Sequence, residues 1–209
     1  MQIIGLLMCR RRCGSSVVRL SRGSGSGGEG TSVLADARYT RVAVTLHWTI
    51  AVLLSVNLLT GFFHDILGTN SVKMVMGIHK PMGLLILALT LVRIVWRVGH
   101  RPPPLPTGPV WQHRAASGTH ALLYVLMLAL PMTGWAMASS TPQPRPLLFF
   151  WLFPLPFLPI PKSAWLDRLF GALHLDIAVI VLIAIGLHIA AALKHQFVDR
   201  DHLLSRMLP

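Results

Sequence analysis

Apolar residues run along this chain in four long blocks instead of alternating with polar ones. The blocks extend from about Val42 to Phe63, Val75 to Trp96, Gly118 to Ala138 and Leu173 to Lys194. Each supplies the ~20 residues that a helix needs to cross a hydrocarbon core of ~30 Å. The charged residues collect between the blocks. The pattern predicts an all-α integral membrane four-helix bundle, with a kink at Pro131 in the third span. A fifth apolar stretch, Ser140 to Pro161, holds seven prolines. Proline at that density leaves backbone groups unpaired in lipid. Leu147 to Pro161 is therefore expected to lie at the interface as a loop, with Ser163 to Gly171 as a short surface helix. The run Arg101 to Pro106 is a non-helical linker. Residues 1–37, rich in Arg, Ser and Gly, read as a disordered N-terminal leader ahead of a membrane domain at 38–209. Two readings of the leader stand: a transit-like peptide, or an extension from an early start codon, the second being preferred. The blocks show no internal repeat.

Composition sharpens this picture. Charged residues make up 12% of the chain, about half of what a soluble domain carries. Lys and Arg outnumber Asp and Glu by 19 to 7. The excess sits at block ends, where it anchors and orients spans, so nucleic-acid binding is set aside. One side collects Arg38, Arg41, Arg93, Arg97, Arg101, Arg114, Lys194, Arg200 and Arg206. The other has Lys73, Lys80, Arg145, Lys162 and Arg168. The bias places both termini in the cytoplasm. Cys9 and Cys13 form no disulfide framework and lack the second ligand pair of a zinc site.

The chemistry rests on histidine, of which the chain has ten. His174 and His188 lie fourteen residues apart, about 40° short of four helical turns, so they share a face with a rise of about 21 Å. The topology puts His47 near the inner surface and His79 near the outer one. The depths match in pairs, His47 with His188 and His79 with His174, which predicts two bis-histidine sites inside the bundle. Neutral imidazole is a strong axial ligand for haem iron, and two leave no open position for oxygen. That favours electron transfer. A porphyrin plate needs small residues where helices pass it. Gly77 and Gly83 beside His79, and Gly186 beside His188, are candidates, although glycines also serve helix packing. A zinc or proton-relay site would need carboxylates or a tight cluster, and no Asp or Glu lies mid-span. His120 sits on the same side as His47 and competes with it for His188. It is kept as a supporting or quinone-site residue, as is His195. His64, His100, His113 and His202 read as loop residues.

These stretches resemble a known family. Arg38-Tyr39-Thr40, Leu46-His47-Trp48, Ile78-His79-Lys80-Pro81-Met82-Gly83, Leu187-His188, Ala192-Leu193-Lys194-His195, Asp199-Arg200-Asp201 and Arg206-Met207-Leu208-Pro209 occur in the order of the bacterial cytochromes b561. The resemblance implies two haem b groups with His47, His79, His174 and His188 as axial ligands, in a bacterial inner membrane. It implies superoxide:ubiquinone oxidoreduction, with His195 at the quinone end. Ubiquinone, the bilayer and another redox protein are the implied partners. The basic outer face would steer an anion, while Asp176 beside His174 would oppose it. The competing expectation is an electron-carrier or anchor subunit of a respiratory dehydrogenase or hydrogenase.

Overall fold

The computed structural model describes residues 39–64, 68–100, 109–200 and 204–207, with side chains from residue 72 in the second helix. The leader, the proline linker and His202 lie outside the described residues.

Four long helices carry the four apolar blocks: α1 (Arg41–Phe63), α2 (Gly68–Gly99), α3 (Val110–Ser140) and α4 (Ala164–Lys194). All four are long and apolar enough to cross a membrane. Thr40 caps α1 by accepting from the Ala43 amide at 3.3 Å, and Ser163 caps α4 by accepting from Trp165 at 3.3 Å. Both satisfy amides that a helix start leaves without partners. Asp167 in the first turn of α4 adds a favourable charge there.

Two boundaries differ from the sequence reading. α3 starts at Val110, so His113 and Arg114 lie on a helix and not in a linker. The expected surface helix at Ser163 to Gly171 is continuous with the fourth span. The segment contains no proline, and the single glycine, Gly171, lowers helix propensity without ending the helix. α3 also runs through Pro131 without ending.

Between α3 and α4, β1 (Leu148–Phe149) and β2 (Phe153–Pro154) pair antiparallel. Phe150 and Trp151 both have positive φ, 45° and 63°, the backbone that a tight hairpin turn demands. Leu147 is buried beneath the hairpin, and the Trp151 ring lies where a Cβ on Gly77 would come within 3.1 Å of it. The hairpin is tied to α3 by Trp135 Nε1–H donating to the Pro156 carbonyl at 3.0 Å and by the Leu158 amide donating to Ser139 at 3.0 Å. The segment caps this end of the bundle and makes no fifth crossing.

At the opposite end, which carries the start of α1 and the end of α4, Trp96 on α2 donates to Thr40 at 3.1 Å. A π-helical turn (His195–Asp199) and a 3-10 turn (Leu204–Met207) follow α4. Trp48 Nε1–H donates to the Met207 carbonyl at 2.7 Å, which straps the tail across α1.

α3 packs closely on α4, α1 on α2, and α2 on α3. The apolar core lies at mid-depth and includes Leu54, Leu58, Ile86, Leu126, Leu130 and Val181. Val181 has no exposed surface. Val181→Ala should cost on the order of 1–2 kcal/mol through the void it leaves. A drop in the thermal midpoint of detergent-solubilised protein would check this. Outward residues such as Val52, Leu59, Val95, Val125 and Ile183 are more than half exposed, the surface that a bilayer covers.

Candidate functional site

A heptad register organises the interior. On α1, fourteen residues separate His47 from Gly61; on α2, His79 from Arg93; on α3, His120 from Gly134; on α4, His174 from His188. Fourteen residues bring a side chain back to nearly the same face about 21 Å along the axis. The bundle therefore has two levels. The hairpin end holds His79, His174, Gly61 and Gly134. The terminal end holds His47, His188, His120 and Arg93. Halfway between, seven residues from each level, lie Leu54, Ile86, Met127 and Val181. These apolar residues belong to or pack against the core cluster and separate the two levels.

At the hairpin end the His79 and His174 rings face one another with centroids 6.2 Å apart. His79 Nδ1–H donates to the Asn57 carbonyl at 3.1 Å, and His174 Nδ1–H to the Leu130 carbonyl at 2.9 Å. The two supports are built alike. Thr60 donates to the same Asn57 carbonyl and Thr133 to the same Leu130 carbonyl. The next residues, Gly61 and Gly134, each leave the room in which an imidazole lies. A Cβ on either would stand 2.9 Å from the Cε1 atom of His79 or His174. The sequences Thr60-Gly61 and Thr133-Gly134 thus form a repeated cradle that the apolar pattern does not reveal. A tethered Nδ1 leaves Nε2 free to bind a metal, the arrangement that fixes ligating histidines elsewhere.

At the terminal end His47 and His188 have centroids 6.3 Å apart, and His120 lies 5.5 Å from His188. An imidazole nitrogen sits ~2 Å from a bound metal and about 1.1 Å from its ring centre. Two rings on opposite sides of one metal then have centres about 6.2 Å apart. Both 6.2 Å and 6.3 Å meet that requirement; 5.5 Å falls short of it. Among the described residues, no group of three or more His, Cys, Asp or Glu is arranged to hold a metal ion.

At the hairpin end the space beside the rings suits a flat apolar group. α4 makes few close backbone contacts with α1 or α2, although their imidazoles face one another. At the hairpin end this spacing opens a cavity of about 330 Å³ lined by His79, His174, Gly61, Gly134, Asn57 and Lys80. The buried Asn57 Oδ1 atom on this wall has no hydrogen-bond partner among the described residues.

Of the glycines named from sequence, one lies at the cavity. Gly83 borders the cavity, Gly77 faces Trp151, and nothing lies within 4 Å of a Cβ on Gly186. His64 lines the same cavity and its Nδ1 donates to the Gly61 carbonyl at 2.7 Å. His100 stacks on Trp96 beyond α2. His195, in the π-helical turn, lies 3.3 Å from Asp199, which Lys194 also contacts at 2.5 Å.

Comparisons with known proteins identify the family. The profile of the prokaryotic cytochrome b561 family matches residues 38–209. Cytochrome b561 homolog 2 of Escherichia coli K12 is 31% identical over 82% of this chain and 91% of its own. Cytochrome b562 of Cereibacter sphaeroides is 32% identical over 81% of this chain and 94% of its own. A probable superoxide oxidase, CybB, of Yersinia pestis is 27% identical over 82% of this chain and 96% of its own. The chain belongs to the prokaryotic cytochrome b561 family, as a multi-pass b-type cytochrome of bacterial membranes that transfers electrons.

Proposed function

We propose that the chain holds two b haems, one between His47 and His188 and one between His79 and His174, and moves electrons across the bacterial inner membrane from an outer donor such as superoxide to ubiquinone. In this reading the leader and 38–209 form two regions, both termini are cytoplasmic, and the hairpin end faces outward. The matched ring separations at two levels carry the proposal. The chemistry such a group supplies is reversible one-electron exchange with no open iron position. The chain's own part is to hold the His79 and His174 rings through their Nδ1–H groups, to exclude water with the apolar middle layer, and to shape what reaches each end.

At the hairpin end Lys73, Lys80, Arg145, Lys162 and Arg168 are all exposed. Positive charge around a mouth raises the capture rate of a small anion. Asp176 is exposed and lies about 200° around α4 from His174, so it points away from the imidazole and does not oppose that field at the site. The printed name of the Yersinia pestis relative supports superoxide as the donor. Two superoxide ions would release two dioxygen molecules, and ubiquinone would take two electrons and two protons at the cytoplasmic end. His195, two turns past His188 on the same face, is the first candidate for that end, with His120 as the second.

Purified haem-loaded protein supplied with superoxide should reduce a soluble ubiquinone. Lys80→Gln should slow that reaction and weaken its dependence on ionic strength. Intact haem spectra with no quinone reduction would reject the superoxide:quinone activity in favour of an electron-carrier or anchor subunit of a larger complex.

A further inference from the structure

The two levels differ in what fills the positions that the proposed ligands leave. At the hairpin end both are glycine. At the terminal end they are His120 on α3 and Arg93 on α2. Arg93 lies fourteen residues past His79 on the same face of α2, so it looks into the bundle and not out to lipid. Its side-chain partner Tyr124 lies one turn from His120, at the level of that cluster.

A guanidinium within a span is costly unless an anion meets it. Among the described residues, no carboxylate lies within ion-pair distance of Arg93; the ion pairs there involve Lys194 and His195. What holds Arg93 is a neutral group. Its Nε–H donates to the Tyr124 hydroxyl at 3.0 Å, and its guanidinium carbon lies 6.0 Å from the Tyr124 ring centre. Tyr124 stands one turn past His120 on α3. This contact uses one of five N–H donors. The planar fork of the other nitrogens suits a carboxylate.

We propose that Arg93 is a carboxylate-binding residue for the cofactor at the terminal end. Its guanidinium pairs with a propionate of the porphyrin held by His47 and His188, and Tyr124 keeps the fork aimed. The inference rests on the two-haem reading. It adds a direction to that reading. A half-buried positive charge favours the electron-rich reduced state, so it holds this centre above the hairpin-end centre in potential. At the hairpin end, Gly61 and Gly134 supply no charge; Lys80 lines the cavity there but is an exposed residue, so salt screens it more than it screens the half-buried Arg93. Electrons then run downhill toward the terminal end.

The test is a potentiometric titration of the purified full-length holoprotein followed by haem absorbance, with the haem count measured on the same sample. Wild-type protein should titrate in two waves with two haems per chain. Arg93→Gln should shift the higher wave downward and leave the lower wave in place. Tyr124→Phe should shift the same wave in the same direction by less. Arg93→Lys, which keeps the charge and loses the fork, should fall between Arg93→Gln and wild type. If Arg93→Gln loses haem, Arg93→Lys and Tyr124→Phe carry the same readout. Higher waves unmoved in the variants that retain two haems would overturn the role of Arg93 while leaving the two-haem reading intact. Fewer than two haems in the wild-type protein would instead overturn that reading, and this proposal with it.

Discussion

His188→Ala should halve the haem content of the purified protein, whereas His120→Ala should leave it unchanged. The distinction is geometric. His188 faces both His47 and His120, at 6.3 Å and 5.5 Å between ring centres. Only the longer distance accommodates two imidazoles on opposite sides of one metal with bonds of ~2 Å. His120 is thereby left to support the site or to meet quinone. Removing His188 deprives the terminal level of one of the two imidazoles that would hold the haem there. The level at His79 and His174 lies about 21 Å away along the helix axes, beyond the apolar layer of Leu54, Ile86, Met127 and Val181, and should keep its spectrum. Pyridine haemochrome counts on both variants decide the matter. One haem after His120→Ala and two after His188→Ala would invert the ligand pairing.

Gly134→Val should remove the haem at the opposite level without touching an imidazole. A Cβ at residue 134 would lie 2.9 Å from His174 Cε1 and 3.2 Å from its Nδ1. The ring cannot yield freely, because its Nδ1 is tethered to the Leu130 carbonyl and lies 3.2 Å from the Thr133 hydroxyl. Displacing it breaks that tether and swings Nε2 off the axis toward His79. Loss of an orienting partner alone typically costs about 10–100-fold in metal affinity, and the added bulk compounds it. Gly61→Val should do the same through His79. Gly186→Ala is the matched control, since nothing lies within 4 Å of its Cβ. Haem content should fall to about half in both valine variants and stay full in the control. Full occupancy in Gly134→Val would show that the cradle does not set the ring.

Part of this architecture is legible in the sequence itself. Helical rise is fixed at about 1.5 Å per residue, and the number of spans follows from apolar length. The depth of each histidine can therefore be counted. The structure brings together the same imidazoles, His47 with His188 and His79 with His174, that depth matching pairs. Proline density likewise tells a loop from a span at residues 140–161. The hairpin itself is hidden, because its turn uses Phe150 and Trp151 where glycine or asparagine would have signalled it. Proximity to His79 and His188 along the chain points to Gly77, Gly83 and Gly186. Which glycine makes room for a ring depends on the helix opposite, not on chain neighbours. One count does find the right pair: Gly61 and Gly134 stand fourteen residues past His47 and His120. The same count marks Arg93, which as a residue near a span end reads only as an interfacial anchor.

The central claim is that one bundle carries two separate bis-imidazole sites, one at each end. The most direct measurement is the ratio of haem to protein in purified full-length chain, by pyridine haemochrome assay against quantitative amino-acid analysis. Two haems per chain are predicted. A fully loaded preparation that saturates at one haem, or binds none, would contradict the account.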